Sequence, residues 1–124
     1  MKFAQCLIAA AGAAVLALPA QAAPAAHDEP CFLTRDIRNH TVGDDHTLYF
    51  DVGGRSVWRA DMTNNCMAGA VSSDPIILRE RAGMGRICRK LDLDVGVRGT
   101  RCIVGSLTKL TPEEVAALPK KLRP

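Results

Sequence analysis

Three histidines, His27, His40 and His46, are the side chains of this chain best suited to proton transfer or metal ligation. Two of them bracket the run HTVGDDH, which adds Asp44 and Asp45. A zinc ion wants several such ligands, each oriented by a further hydrogen bond. A solvated turn between two strands explains the run as well, and no metal is expected. Paired carboxylates occur at Asp92 and Asp94, alternating with Leu91, Leu93 and Val95. On a strand, that spacing puts both aspartates on one face and the apolar residues on the other. A glycosidase needs two carboxyls across a cleft, which a small domain rarely supplies, so a solvated face is the simpler reading. Ser72, Ser73 and Asp74 sit in no G-x-S-x-G elbow. Gly83 and Gly85 lack the third glycine of a dinucleotide fingerprint. No catalytic residue and no cofactor follow from these patterns.

Cysteine is the other reactive type, at Cys6, Cys31, Cys66, Cys88 and Cys102. Cys6 lies in an N-terminal segment with the marks of a signal peptide. Lys2 is a short positive start, residues 7–18 are an apolar run too short to span a bilayer, and Ala20-Gln21-Ala22 is a cleavage site. Residues 1–22 are therefore expected to be removed after Ala22, taking Cys6 with them. The remaining four cysteines belong in an oxidising compartment, where they pair as disulfides. They lack the C-x-x-C spacing of a zinc site or a thiol exchanger. Four cysteines permit three connectivities. The expected pairing is Cys31 with Cys102, joining the domain ends, and Cys66 with Cys88, closing a shorter central loop.

The elements that must position these residues are short. Residues 23–30 are Ala/Pro-rich and read as a disordered lead-in; residues 31–119 form one β-rich domain; residues 120–124 are a tail. A strand is expected over most of residues 31–40, then a turn at Gly43, Asp44 and Asp45. Gly53 and Gly54 split two β-forming flanks, HTLYFDV and RSVWRAD, which predicts a hairpin on a two-residue turn. Val52 opposite Arg55 then puts Leu48, Phe50, Val52 and Val57 on the core face and pairs Tyr49 with Trp58 on the other. Further strands are expected at DPIILRE, RICRKLDLDVGV and TRCIVGSLTKL, with RAGMG as a loop. Thr111, Pro112 and Glu114 make an N-cap, an N1 proline and a capping box for a helix that Pro119 ends. Strand spacing predicts a mainly β fold, a small disulfide-stapled sandwich or open barrel of about five to six short strands with one short C-terminal helix. The alternative is an α+β sheet with that helix packed on one face.

The cysteine contexts, the strand DDHTLYF, the hairpin GGRSVWRADMTNNC and the tail LTPEEVAALP carry a resemblance across the whole mature chain. Together they resemble the bacterial family called domain of unknown function 6491, whose members are typically small exported proteins of Gram-negative bacteria. The resemblance implies an exported address and disulfides, and brings no activity or catalytic residue with it.

Formal net charge is +3, too slight to imply nucleic acid or an anionic membrane as partner. Arg79, Arg81, Arg86, Arg89 and Lys90 form a local basic cluster without the aromatics of a nucleic-acid platform. These readings converge on a periplasmic or secreted, non-enzymatic binding or structural domain of the envelope. Its expected contact face is Tyr49, Trp58 and Arg59, beside that cluster, and its partner an envelope protein or an anionic envelope component. Alternatives are a small periplasmic hydrolase using Asp92, Asp94 or a histidine, and a modulator of an envelope enzyme.

Overall fold

A computed structural model describes residues 30–124. The expected signal peptide and cleavage site, Cys6, His27 and all of the expected lead-in but Pro30 lie outside the described residues. The fold is mainly β. Strands β1 (Phe32–Leu33), β2 (Ile37–Val42), β3 (Thr47–Val52), β4 (Ser56–Met62), β5 (Ile76–Glu80), β6 (Arg86–Ile87), β7 (Leu93–Val97), β8 (Thr100–Cys102) and β9 (Val104–Lys109) precede one helix, α1 (Pro112–Ala117). Among the described residues they form three antiparallel sheets, ordered β2-β3-β4-β9, β5-β7-β8 and β1-β6, and no barrel closes.

Most elements begin and end where local chemistry dictates. Thr111 Oγ1 accepts from the Glu114 amide at 3.2 Å, and the Glu114 carboxylate accepts from the Thr111 amide at 2.7 Å, so the capping box fixes the start of α1. The first expected strand is broken by a 3₁₀ turn, Thr34–Asp36, which separates β1 from β2 and lets them join different sheets. TRCIVGSLTKL likewise divides into β8 and β9, on different sheets. Asp92 ends a second 3₁₀ turn, Lys90–Asp92, instead of sharing a strand with Asp94. Leu91 in that turn is exposed, whereas Leu93, Val95 and Val97 alternate into the core.

The hairpin register differs from expectation by one residue. Gly53 and Gly54 take φ of +66° and +69°, and the Arg55 amide closes the turn on the Val52 carbonyl at 3.2 Å. Arg55, however, is left unpaired, and Ser56 lies opposite Val52. That extra residue turns β4 over. Phe50 now pairs with Trp58, Leu48 with Ala60, and Tyr49 with Arg59. The alternation of β4 explains the choice: Trp58, Ala60 and Met62 are buried, while Val57, Arg59 and Asp61 face out. The expected register would have set the Arg59 guanidinium against buried Leu48, a desolvated charge with no partner. Val57 accordingly lies opposite Asp51 on the outer face.

The cysteines pair as Cys31–Cys88 and Cys66–Cys102, not as Cys31 with Cys102 and Cys66 with Cys88. Ladder register decides this. Phe32 opposes Ile87 in β1-β6, so Cys31 and Cys88 are the next opposed positions, with Cα atoms 4.2 Å apart. Cys102 points inward from β8, opposite Val95, where it meets Cys66 of the turn after β4. The core they enclose centres on Phe32, Leu48, Phe50, Trp58, Met67 and Val95.

Candidate functional site

The structure does not bring Tyr49, Trp58 and Arg59 together. Tyr49 and Arg59 are neighbours on the outer face of the four-stranded sheet, in a row with Thr41. Tyr49 is 7% exposed. Its ring lies so close over Gly43 that a Cβ there would come within 2.9 Å of Cε2. A 3₁₀ turn, Lys120–Leu122, packs against β2, where Thr41 Oγ1 donates to the Leu122 carbonyl at 2.5 Å. Arg59 is committed to Asp61: its Nε and a terminal nitrogen both lie 2.8 Å from Oδ1. That hydrogen bond holds the guanidinium pKa above its ordinary value. Thr47 Oγ1 donates to the same Asp61 oxygen at 3.2 Å and Ser106 Oγ to the other at 3.0 Å.

The residues with catalytic or ligating chemistry are dispersed and locally engaged. His40 Nε2–H donates to the Asp74 carbonyl at 3.0 Å, across to the loop that also places Ser72 Oγ on the Val42 amide. Asp44 accepts from the His46 amide at 2.8 Å, which lowers its carboxyl pKa. Asp92 accepts from the Arg89 and Cys88 amides at 2.8 and 3.1 Å; those bonds, the Arg89 one foremost, lower its pKa. Asp94 lies between Arg81 and Arg101, at 3.5 and 3.1 Å. Among the described residues, no group of three or more His, Cys, Asp or Glu side chains converges to hold a metal ion.

Trp58 leads to a different surface. Its ring is buried against Phe32, with centroids 4.7 Å apart, and it also lines a groove of about 490 Å³. Cys88, Arg89 and Lys90 line it on one side and residues 105–109 of β9 on the other, with Pro30 also lining it. Arg89, which also pairs with Asp92 at 3.7 Å, Lys90 and Lys109 give it positive charge, and among the described residues no acidic side chain lines it. A second cavity, of about 250 Å³, continues past Trp58 and Lys109 toward Cys31, Asp36 and Arg55. The Trp58 Nε1–H is buried and has no acceptor among the described residues. An indole donor left without a partner costs about 1–3 kcal/mol relative to one that is satisfied.

Sequence reasoning marked Trp58 and the Arg89-Lys90 pair but not the β9 wall. The signal available was the β4 pattern: Trp58, Ala60 and Met62 share a parity that excludes Tyr49 as Trp58's neighbour. Among the described residues, no helix is long and apolar enough to cross a membrane. No family model matches the chain, and no curated protein and no solved structure matches it.

Proposed function

We propose that this chain is a non-enzymatic binding domain of the bacterial envelope, exported by its N-terminal signal and related to domain of unknown function 6491, that takes an anionic ligand in the groove beside Trp58. The observation that carries this reading is the groove itself: among the described residues it is lined by three cations, Arg89, Lys90 and Lys109, and no acid, beside an indole whose N–H has no acceptor there. The two disulfides support an oxidising compartment. The resemblance in the cysteine contexts and the LTPEEVAALP tail supports the exported address. A hydrolytic reading has less behind it, because Asp92, Asp94 and His40 are each occupied in separate structural bonds.

Trp58 is the only tryptophan of the chain, so its emission reports on this groove. Polyglutamate added to the purified, oxidised protein at low salt is expected to change that emission saturably. An Arg89→Gln/Lys109→Gln double variant is expected to weaken the response about tenfold, since each rim charge contributes on the order of half a kcal/mol or more. An equal response to polylysine, or no response to either polymer, would sink the proposal.

A further inference from the structure

β9 is the last strand of its sheet, and the alternation of its hydrogen bonds determines what its free side offers. The Leu110 amide bonds the Val57 carbonyl at 2.9 Å, and Thr108 lies opposite Arg59. Residues 106, 108 and 110 therefore turn their backbone groups toward β4. Leu107 and Lys109 turn theirs away from it, along the groove. Gly105 shares their parity, and its carbonyl accepts from Lys90 Nζ at 2.8 Å, which closes that end of the strand.

Two other edges carry side-chain bonds. The β2 edge gives its Val42 amide to Ser72. The β8 edge is bonded by Asn64, which donates to the Arg101 carbonyl and accepts from the Ile103 amide. β5 also ends a sheet, but the cavity beside it crosses the faces of β5, β7 and β8 and contains Asp94. Along residues 106–109 an edge strand without such bonds borders a groove whose charged residues are all basic, Arg89, Lys90 and Lys109. A second groove with only basic charges, Arg81, Lys90 and Arg101, borders residues 102–104, where Asn64 already bonds the edge.

Building on the anionic-ligand reading, we infer that the occupant of the groove is an extended acidic peptide segment that adds to β9 as a fifth strand. Leu107 and Lys109 each present one N–H and one C=O, which a peptide backbone satisfies reciprocally. A phosphorylated headgroup or an acidic glycan supplies acceptors for the N–H groups but no regular row of donors for the carbonyls. Alternate side chains of the added strand point to the Trp58 side, where Arg89 and Lys109 receive carboxylates.

The test compares an alternating Thr–Glu octapeptide, the same peptide N-methylated at alternate residues, and inorganic polyphosphate, each titrated into the oxidised protein. The free peptide is expected to bind. Amide exchange should slow at Leu107 and Lys109 but not at Thr108, whose amide already faces β4. N-methylation leaves the charge intact and is expected to weaken binding at least about tenfold. Lys109→Pro, which removes an outward N–H, is expected to cost more affinity than Lys109→Gln, which removes only charge. Equal binding of the N-methylated peptide, or of polyphosphate with no change at the Leu107 and Lys109 amides, would overturn strand addition while leaving the anionic groove standing. A dimer abolished by Lys109→Pro, with no peptide binding, would mean that a second copy occupies β9 and would overturn it too. Failure of every polyanion would remove both readings.

Discussion

Asp61 accepts from three side chains on the outer face of the four-stranded sheet: Arg59, Thr47 and Ser106. The contributions of these partners are unequal. Arg59 is 44% exposed at its side chain, so its pairing is screened, and Arg59→Ala is expected to cost only about 0.2–1 kcal/mol. Asp61→Ala instead strands the buried Thr47 hydroxyl along with Ser106 and the guanidinium, and is expected to cost about 1–3 kcal/mol. Urea midpoints of the two variants check the order; equal midpoints would show that the network has no centre. Trp58 behaves differently because it is 3% exposed and packed at a tilt against Phe32. Trp58→Ala is expected to destabilise by about 3–5 kcal/mol, the range for emptying a large aromatic site. Trp58→Phe keeps most of the ring and removes the unpartnered N–H. It should lose far less stability in the same urea titration, while calorimetric titration with polyglutamate, which needs no tryptophan, is expected to show weaker binding because the indole donor is gone.

At the scale of elements, the hairpin tests whether its turn or its extra residue sets the register. Removing Arg55 leaves Gly53 and Gly54 as a two-residue loop and still places Ser56 opposite Val52, so the Phe50 and Trp58 pairing survives. That deletion is expected to stay within about 1 kcal/mol of the parent. Removing Gly54 forces Arg55 into a position that Gly54 fills at φ +69°, which costs a non-glycine residue about 1–2 kcal/mol. Thermal melts of the two deletions separate these outcomes. The 3₁₀ turn Lys90–Asp92 answers to pH instead. Two backbone amides hold the Asp92 carboxyl below its ordinary 3.8. A depressed pKa stabilises the fold at pH values above 3.8, and that contribution disappears as pH falls through the folded-state value. Urea midpoints should thus hold from neutrality to about pH 4 and fall below it, with a smaller fall in Asp92→Asn. The β segments, the Gly53 and Gly54 turn and the α1 cap were legible in the sequence because each is set within a few residues. Arg55 was not, since whether a residue is paired or bulged depends on which parity of the next strand is apolar. The groove was still less legible: Arg89 and Lys109 meet only after β9 has crossed to the edge of a different sheet from β6.

Over the whole molecule, the two disulfides do different work, and the expected pairing failed because it weighed chain ends rather than ladders. By loop-closure entropy alone, separations of 57 and 36 residues predict similar contributions, about 4 kcal/mol each, with Cys31–Cys88 slightly ahead. Burial reverses that order. Cys31 and Cys88 are half-exposed beside a two-stranded sheet whose register already sets them opposite each other. Cys66 and Cys102 are both buried, and their bond ties the turn leaving the four-stranded sheet to β8 of the three-stranded one. Removing it takes away one of the ties between the two main sheets and leaves a void in the core they share. The Cys66→Ala/Cys102→Ala variant is therefore expected to lose more stability than Cys31→Ala/Cys88→Ala, although its loop is shorter. Guanidinium midpoints of the two variants measure the order. Digestion without reductant should release Cys31–Cys88 and Cys66–Cys102 peptides as the controls. If the Cys31–Cys88 variant proves the weaker, unfolded-state entropy dominates and the sheets hold together without their bond. The variants also bear on the groove. Cys88 lines it, so losing Cys31–Cys88 should loosen the Arg89 wall and weaken polyglutamate binding even where the fold survives.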